Sequence, residues 1–251
     1  MRLLKNLGDY LALRKHLREP WNFVWSPKSE AGFAVEFKDG TSVRGPSDYY
    51  DRQLLNDIFA RDRYRVDGVA PGSWGTVIDV GANIGLFSIR VAPLARRILA
   101  FEPMPSNFKY LRTNVDRFRH VEAIEKAVLG RPGPVDLHVS SNPGAHSVLP
   151  KEGGSKVQVE AVTLQQIFAD HAIDRCDLLK MDCEGAEYES LAAMPAELWP
   201  RIDRIRLEYH AGPSGWDGPR LAALFRERGF RSDIVPRSRH PEQGHLYAER
   251  A

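Results

Sequence analysis

Hydrophobic and polar positions change their period along the chain, and in its central part short apolar runs alternate with amphipathic segments. The run at residues 76–80 is continuous and β-branched, which is typical of a buried strand, and the segment at 86–95 has helical spacing. The alternation continues with strands predicted at 97–101 and 121–128 and a helix predicted at 106–118. Strands that alternate with helices in this way predict βαβ units and a parallel sheet covered by helices on both faces.

After residue 128 the pattern is less regular but still predicts an α/β fold. VDLHVS and VQVEAV indicate two strands around a loop rich in glycine, proline and serine, and Thr163 is placed to cap the helix LQQIFADHA. CDLLKMD, RIRLEY, IVPR and HLYAE predict further strands, separated by the helices AEYESLAAM and RLAALFRERGF. We therefore predict a doubly wound, mostly parallel sheet of Rossmann-like type, whose ligand lies over the carboxyl ends of the strands.

Residues 1–70 predict an elaboration in front of this core, and the core itself is placed at residues 71–251. The first nineteen residues carry leucines at helical spacing in a basic context. Such a segment is typical of a helix docked on the body of the protein or of one lying on a membrane surface, and we favour docking.

A small β element and a second helix are predicted in the rest of this elaboration. The aromatic residues of WNFVW alternate with polar or smaller ones, and an Asp-Gly turn joins FAVEF to TSVR, which predicts a β-hairpin. Residues 47–64 have apolar positions on one helical face, with Ser47 as the N-cap. The elaboration either covers a site or only packs against the core.

Composition narrows the function without identifying it. A chain of 251 residues with 43% hydrophobic content can bury a substantial core, and a formal net charge of +2 gives no reason to expect a nucleic-acid partner. No apolar run reaches the roughly 20 residues of a membrane helix, and no signal peptide is evident, so we expect a cytoplasmic protein without a membrane partner. Cys176 and Cys183 are not expected to form a disulfide. The oligomeric state stays open.

The strand at 76–80 leads into a glycine turn that carries the first candidate chemistry. Gly81 and Gly85 lie four residues apart, with an apolar helical segment directly behind them. Glycine tolerates positive φ and has no Cβ, so such a turn brings backbone N–H groups close to a ligand, or else serves only as a tight turn. The spacing G-x-x-x-G differs from the dinucleotide fingerprint G-x-G-x-x-G and disfavours a nicotinamide or flavin site.

Polar side chains follow the other predicted strands at the edge where a doubly wound sheet binds its ligand. Glu102 lies roughly twenty residues after the glycine turn, where an acid can accept hydrogen bonds from ribose hydroxyls. EKAV, at residues 125–128, can line an adenine pocket. Two later strands also end in polar residues, which are Asp182 and Glu184 for one strand and Glu208 and His210 for the other.

In this order and spacing, DVGANIG, AFEP, KMDCEGAE and LEYH resemble the FkbM family of S-adenosylmethionine-dependent methyltransferases, which have the class I, seven-stranded fold. Four separate strand ends carry the resemblance, which covers residues 77–210. It implies S-adenosylmethionine over the glycine turn and a methyl-acceptor pocket above the later strand ends, while Cys183 receives no role. The residues assigned to the cofactor are Asp79, Gly81, Asn83, Gly85, Glu102, Pro103, Lys126, Ala127 and Asp182.

The chemistry assigns the remaining polar residues to the acceptor side. Methyl transfer from a sulfonium is an in-line displacement, so positioning and the exclusion of water supply much of the catalysis. A hydroxyl acceptor also loses a proton, and His210 is the candidate base because histidine titrates near neutral pH. Asp182 is a second catalytic candidate that orients the acceptor or the methionine amino group. The residues assigned to acceptor binding are Glu184, Glu208, His146 and Ser147.

Several alternatives stay open. We favour methylation of a hydroxyl on a sugar or secondary metabolite over methylation of a nitrogen or a binding module without catalysis. Glu184 either binds substrate or caps the following helix, and His146 and Ser147 belong to a lid over the acceptor or to a solvated loop. Asp182, Glu184, Glu208 and His210 can together hold a divalent cation, but we expect a metal-free site.

Overall fold

The computed structural model describes residues 2–27, 32–139, 155–210, 217–237 and 240–251. In chain order the helices are α1 (Arg2–Leu13), α2 (Pro20–Trp25), α3 (Asp48–Leu55), α4 (Leu86–Val91), α5 (Pro105–Val115), α6 (Leu164–Asp170), α7 (Glu187–Ala192) and α8 (Gly218–Glu227). The strands are β1 (Phe33–Glu36), β2 (Ser42–Gly45), β3 (Trp74–Val80), β4 (Ala95–Phe101), β5 (Val121–Ile124), β6 (Ala127–Val128), β7 (Gly133–His138), β8 (Lys156–Val162), β9 (Leu178–Met181), β10 (Arg204–Tyr209), β11 (Phe230–Arg237) and β12 (His240–Arg250).

A seven-stranded sheet organises the core, with the strand order β11-β12-β10-β9-β3-β4-β5. The strands from β10 to β5 are parallel, whereas β12 and β11 run antiparallel to their neighbours. The chain moves from β3 outward to β4 and β5 and later places β9 on the other side of β3, so the strand order switches between β3 and β9. The predicted doubly wound, mostly parallel α/β fold is thereby confirmed.

Side chains of the central strands alternate between two apolar cores, because successive residues of a strand point to opposite faces of the sheet. Val77 and Ile98 belong to the core that contains Leu86 of α4 and Leu111 of α5. Ile78 belongs to the opposite core, with side chains from α6, α7 and α8. Burial on both faces explains why these strands are continuous apolar runs in the sequence.

The prediction of one strand at 121–128 is wrong. β5 ends at Ile124, and the amide of Lys126 then donates to the Ile124 carbonyl at 3.0 Å, so the chain turns. β6 joins a separate three-stranded sheet with β8 and β7. The polar pair Glu125 and Lys126 interrupts the apolar run and makes this change of direction possible.

The N-terminal segment is helical where the alternation of aromatic residues indicated a strand. Pro20 stands in the first turn of α2, where its missing N–H is not needed, and Trp21 and Trp25 stack on one helical face with their ring centroids 4.1 Å apart. The predicted hairpin is confirmed as β1 and β2, which pair in antiparallel fashion. Ser47 caps α3 as predicted, because its side chain accepts from the amide of Tyr50.

The helix predicted at 47–64 ends earlier, since α3 continues as a π-helical turn only to residue 60. The hairpin in front of it is fixed to the core by the buried side chain of Asn114. The Asn114 oxygen accepts from the amide of Arg44 at 2.9 Å, and its nitrogen donates to the carbonyl groups of Arg44 and Ile84, each at 2.8 Å. The elaboration is thereby joined to the glycine turn.

No helix in the described part of the chain has the length and apolar character needed to cross a membrane. Cys176 and Cys183 are both free thiols, as the sequence predicted.

Candidate active site

The carboxyl ends of four neighbouring strands meet at one edge of the sheet. The ladder pairs Val80 with Phe101 on one side and with Met181 on the other, and Met181 in turn with Leu207. The next residue of each strand therefore lies beside its neighbours, at the switch in strand order where doubly wound folds bind ligands. These four residues are Glu102, Gly81, Asp182 and Glu208.

Gly81 turns the chain at the end of β3 with a φ of +74°. A Cβ at this position would lie 1.8 Å from the carbonyl oxygen of Asp182, so only glycine fits between the two strand ends. The amides of Gly81 and Ala82 both donate to the carbonyl oxygen of Phe101, at 3.0 and 2.9 Å. Glycine is therefore needed here for the close approach of the neighbouring strand.

A cleft opens beside this turn, and we call it the glycine-turn cleft. The predicted cofactor residues that line it are Gly81, Asn83, Glu102, Pro103, Lys126, Ala127 and Asp182. Its apolar wall includes Phe101, Val128, Leu129 and Leu137. The N-terminal elaboration contributes Tyr50, Leu54, Ile58 and Tyr64. Residues before the predicted core boundary at position 71 therefore form part of the cleft.

Asp79 and Gly85 do not line the cleft, which departs from their predicted role as cofactor contacts. Gly85 precedes α4 at a φ of +89°, and a Cβ there would lie 2.9 Å from Leu111 of α5, so this glycine serves helix packing. Asp79 is fully buried, accepts a hydrogen bond from Ser88 at 2.7 Å and pairs with Lys180 at 3.0 Å.

Lys180 is a buried cation beside the glycine turn. Its Nζ donates to the carbonyl oxygens of Gly81 and Val80, at 2.7 and 3.2 Å, besides pairing with Asp79. Burial alone would lower the pKa of Lys180, but the carboxylates of Asp79 and Asp182 raise it. The charged ammonium group therefore holds the glycine turn in place.

Glu102 is a buried carboxylate at the wall of the glycine-turn cleft. Its Oε2 accepts from the amide of Asn83 at 2.8 Å and its Oε1 from the amide of Met104 at 3.0 Å. Burial raises the pKa of Glu102 to about 7, although both amides and Lys180 act in the opposite direction. A carboxylate with one hydrogen bond on each oxygen keeps further acceptor capacity on both.

A second cavity of about 490 Å³ adjoins the cleft, and we call it the polar cavity. Asp182, Glu184 and Tyr50 line both spaces, so the two meet beyond the end of β9. A volume of this size lies within the range of roughly 300–1,000 Å³ typical of small-molecule sites. Further polar residues that line the cavity are Ser47, Tyr49, Gln53, Asp57, Arg63, Glu208, His210, Arg237 and Gln243.

His210 directly follows β10 and is surrounded by carboxylates. Its Nε2 lies 3.8 Å from an oxygen of Glu184 and 3.8 Å from one of Glu208, and its Nδ1 lies 3.9 Å from Glu187. These distances exceed a hydrogen bond, and Nδ1 is buried without a hydrogen-bond partner among the described residues. Burial alone would lower the pKa of His210, but the surrounding carboxylates, Glu187 first among them, outweigh burial and raise it.

Glu208 contacts two arginines, Arg63 of the N-terminal elaboration and Arg237 of β11. Arg237 contacts its Oε1, and Arg63 lies 3.4 Å from its Oε2 while also pairing with Asp57. The register of β11 shifts between Pro236 and Arg237, and such bulges re-aim side chains near functional sites. Burial raises the pKa of Glu208 to about 7, against the effect of the two arginines.

Asp182 lies where the glycine-turn cleft and the polar cavity join. Its Oδ2 accepts a hydrogen bond from the hydroxyl of Tyr64 at 2.9 Å, and the Tyr64 ring packs edge to face on Phe87, with centroids 4.8 Å apart. Burial would raise the pKa of Asp182, but Lys180 and the protonated form of His210 outweigh burial and lower the pKa. Asp182 is therefore an ionised carboxylate at neutral pH.

Glu187 stabilises the loop after β9, and the choice between the two roles predicted for Glu184 stays open. Glu187 is fully buried and accepts from the amides of Cys183 and Gly185, each at 2.8 Å. Glu184 has a φ of +55° and lines both the cleft and the cavity. Binding of the acceptor by Glu184 stays a prediction.

Asp182, Glu208 and His210 each bring one potential ligand atom within 4.8 Å of the others. A cation such as magnesium prefers oxygen ligands of this kind. The hydroxyl of Tyr64 already donates to Asp182, however, and the two arginines already contact both oxygens of Glu208. Each of these two carboxylates therefore already has a protein partner, and the metal-free site stays a prediction.

Several side chains of the glycine-turn cleft and the polar cavity were not predicted from the sequence. Lys180 lies within the motif KMDCEGAE, and a lysine inside an apolar strand was a usable signal because lysine is rarely buried without a partner. The others lie in segments without a motif and are Tyr50, Asp57, Arg63, Tyr64, Arg237 and Gln243. His146 and Ser147, predicted to bind the acceptor, lie outside the described residues.

Comparison with known proteins identifies the family. A family model for the methyltransferase FkbM domain matches residues 79–232. Methyltransferase sdnD of Sordaria araneosa is 32% identical over 214 residues, which cover 70% of this chain and 81% of that protein. The 31-O-demethyl-FK506 methyltransferase FkbM of Streptomyces tacrolimicus is 27% identical over 213 residues, which cover 70% of this chain and 80% of that protein.

A solved structure agrees with the fold. The methyltransferase FkbM from Methylobacillus flagellatus KT has a TM-score of 0.51 at 13% sequence identity, covering 80% of this chain and 55% of that one. At this identity the likeness concerns the fold alone, whereas the family model covers more than half of the chain. The chain therefore belongs to the FkbM family of S-adenosylmethionine-dependent methyltransferases.

Proposed function

We propose that the protein transfers the methyl group of S-adenosylmethionine to a hydroxyl of a small molecule, a sugar or a secondary metabolite. The observation that carries this proposal is His210, an imidazole set among carboxylates beside the junction of the glycine-turn cleft and the polar cavity. A hydroxyl acceptor needs such a base, whereas an amine that binds in its neutral form does not.

The donor set of the glycine-turn cleft fits S-adenosylmethionine. Glu102 keeps acceptor capacity for ribose hydroxyls, and the cleft has an apolar wall against which an adenine ring can pack. Lys126 and Ala127 would contact the adenine, and Asn83 would contact the methionine portion. Asp182, ionised at the junction, would hold the methionine amino group or orient the acceptor hydroxyl.

The bound cofactor supplies an electrophilic methyl group on a positively charged sulfur. The protein contributes alignment of the acceptor and a place for its proton. His210 lines the polar cavity, and its Nε2 would take the proton that the acceptor hydroxyl loses when the methyl group passes from the sulfur to the acceptor oxygen. The carboxylates of Glu184, Glu187 and Glu208, all within 4 Å of the ring, stabilise the imidazolium that results.

Closure of the site against water comes from the N-terminal elaboration. Tyr50 and Leu54 line both the cleft and the cavity, and Tyr64 covers Asp182 through its hydrogen bond. Water near the sulfonium would weaken the electrostatic interactions that align the acceptor. Residues 48–64 therefore form part of the proposed active site.

The polar cavity favours a hydroxylated acceptor over an apolar one. Its walls combine the cations Arg63 and Arg237 with carboxylates and the amide of Gln243, so a ligand must offer many hydrogen-bonding groups. Tyr49 is exposed at the lip, where its ring can pack against the C–H face of a sugar. The name of the Streptomyces relative specifies methylation at an oxygen, which agrees with this choice.

The proposal is tested by incubating the purified protein with methyl-labelled S-adenosylmethionine and a panel of glycosides, hydroxylated metabolites and matched amines. We expect label in one or more hydroxylated compounds and a product in which spectroscopy locates the methyl group on oxygen. Label found only on nitrogen would contradict the proposal. Absence of binding of both S-adenosylmethionine and its demethylated product in calorimetry would indicate a module that no longer binds the cofactor.

A further inference from the structure

The outer face of α1 and α2 carries an apolar surface that the folded chain does not cover. Leu7 and Leu11 are 47% and 44% exposed, and Trp21 is 60% exposed. These are three of the five large hydrophobic side chains recorded as exposed in the described part of the chain, and all fall within its first 25 residues. Large apolar side chains that cluster at a surface commonly mark an interaction site.

The side chains form one continuous patch. The ring of Tyr10 lies 5.9 Å from that of Trp21 and 5.5 Å from that of Trp25, which stacks on Trp21. Leu7 lies three residues before Tyr10 and four before Leu11, so all three occupy adjoining positions on α1. We call this surface the aromatic patch, and its residues are Leu7, Tyr10, Leu11, Trp21 and Trp25.

The patch is not needed to hold α1 on the protein. Leu13 and Leu17 are fully buried in the core, and Asp9 lies 3.9 Å from Arg61 of the body. These contacts hold α1 on the body, and Asp9 and Leu13 lie on a different side of the helix from the aromatic patch. The aromatic patch is therefore not used to hold α1 on the body of the protein.

The charges around the patch are basic. Arg14 and Lys15 are exposed at the end of α1, and neither forms an ion pair with a described residue. Of the acids in this segment, Asp9 faces Arg61, and Glu19 keeps its charge because its hydrogen-bond donor, Asn22, is neutral. The two unpaired cations therefore outnumber this one acid, and the net charge beside the aromatic rings is positive.

We propose that the aromatic patch docks the protein on a bilayer surface that contains anionic lipids. Tryptophan and tyrosine are favoured at the boundary between head groups and acyl chains, leucine side chains insert below them, and basic side chains pair with anionic head groups. This departs from the expectation of no membrane partner, which rested on the absence of a long apolar run. That criterion concerns helices that cross a bilayer and not those that lie on one.

The test is sedimentation of the full-length protein with phosphatidylcholine vesicles and with vesicles that also contain phosphatidylserine. We expect binding to the anionic vesicles, weakened by added salt, and about a tenfold loss of affinity for Arg14→Glu with Lys15→Glu. The charge-matched control is Arg96→Glu with Arg112→Glu, two exposed arginines on other elements, which retains binding. Wild-type protein that sediments with neither vesicle would overturn the proposal.

The apolar part is tested by Trp21→Ser with Leu11→Ser, against Val235→Ser as an exposed hydrophobic control on β11. We expect loss of vesicle binding in the first variant only, with cofactor affinity preserved as a sign of correct folding. Equal binding by both variants would overturn the proposal. A wild-type dimer in light scattering that this double variant dissociates, together with no vesicle binding, would assign the patch to a second copy of the chain instead.

Discussion

The glycine-turn cleft and the polar cavity share a border at Asp182, but the chain builds them in different ways. The cleft takes most of its predicted cofactor residues from positions 81–127, where all but Ala127 of β6 follow a strand or stand in the turn after it. The polar cavity takes its side chains from positions 47–63, 182–210 and 237–243. The glycine-turn cleft is therefore shaped mainly by the backbone at strand ends. The polar cavity is formed by side chains from segments that are far apart in the sequence.

This difference has a physical consequence. In the cleft, Gly81 and Glu102 act through backbone groups, because Gly81 admits the neighbouring strand and Glu102 binds two amides. In the polar cavity, Glu208 is held by Arg63 and Arg237, each from a different end of the chain. We expect substitutions in the cleft to remove binding or folding, and substitutions in the cavity to change rates and pH dependence.

The largest effect is expected for Gly81→Val. The side chain would clash with the carbonyl of Asp182 and would force valine into a left-handed conformation, so the free energy of unfolding should fall by more than about 4 kcal/mol. Gly72→Val is the matched control, because Gly72 also has a positive φ but a Cβ there would meet no atom within 4 Å. Its loss should stay at about 1–3 kcal/mol in denaturant unfolding. Equal losses of unfolding free energy in the two variants would show that the clash with Asp182 does not contribute to the effect.

A smaller effect is expected for Glu102→Ala. Removal of the carboxylate takes away charge-assisted hydrogen bonds to the ribose and leaves the amides of Asn83 and Met104 without their partner, so cofactor binding should weaken by ~1–3 kcal/mol in calorimetry. Glu122→Ala, at an exposed acid of β5, is the control and should bind normally. An unchanged affinity in Glu102→Ala would mean that the ribose is held elsewhere.

A substitution in the polar cavity should change the pH dependence of the reaction more than the stability of the protein. The ionised Glu208 is one of the groups that raise the pKa of His210, so Glu208→Gln lowers that pKa. Because a histidine acts as a base only above its pKa, the acidic limb of the kcat/KM profile should move to lower pH. An acidic limb that stays in place or moves to higher pH would contradict the claim that Glu208 raises the pKa of His210.

No effect is expected from a metal chelator. Glu208 and Asp182 already accept from the arginines and from Tyr64, so turnover with dialysed, chelator-treated protein should equal that of untreated protein. Activity that is lost and then restored by magnesium would show that the cluster of Asp182, Glu208 and His210 binds a cation.

The same contrast explains what could be predicted from the sequence. The fold followed from apolar periodicity, and the row of strand ends followed from the parallel sheet, so Gly81, Glu102, Asp182 and Glu208 could be placed side by side. The exception in this region is Asp79, whose burial with Lys180 depends on a contact between two strands and leaves no mark in either segment alone.

The side-chain network of the polar cavity could not be predicted in this way. Arg63 lies in a segment where the pattern predicted only a helix, and Arg237 ends the predicted strand IVPR, which carries no motif. Both become part of the site because β12 and β11 fold back beside β10 and bring the two ends of the chain together. Only the three-dimensional arrangement pairs them with Glu208.

The most direct test of the proposed O-methylation compares His210→Gln with wild-type protein in single-turnover experiments on a hydroxyl acceptor, with cofactor affinity measured in parallel. If His210 takes the acceptor proton, the methyl-transfer rate should fall by roughly 10²–10⁴-fold while cofactor affinity stays unchanged. A rate close to that of the wild type, at unchanged cofactor affinity, would contradict the account.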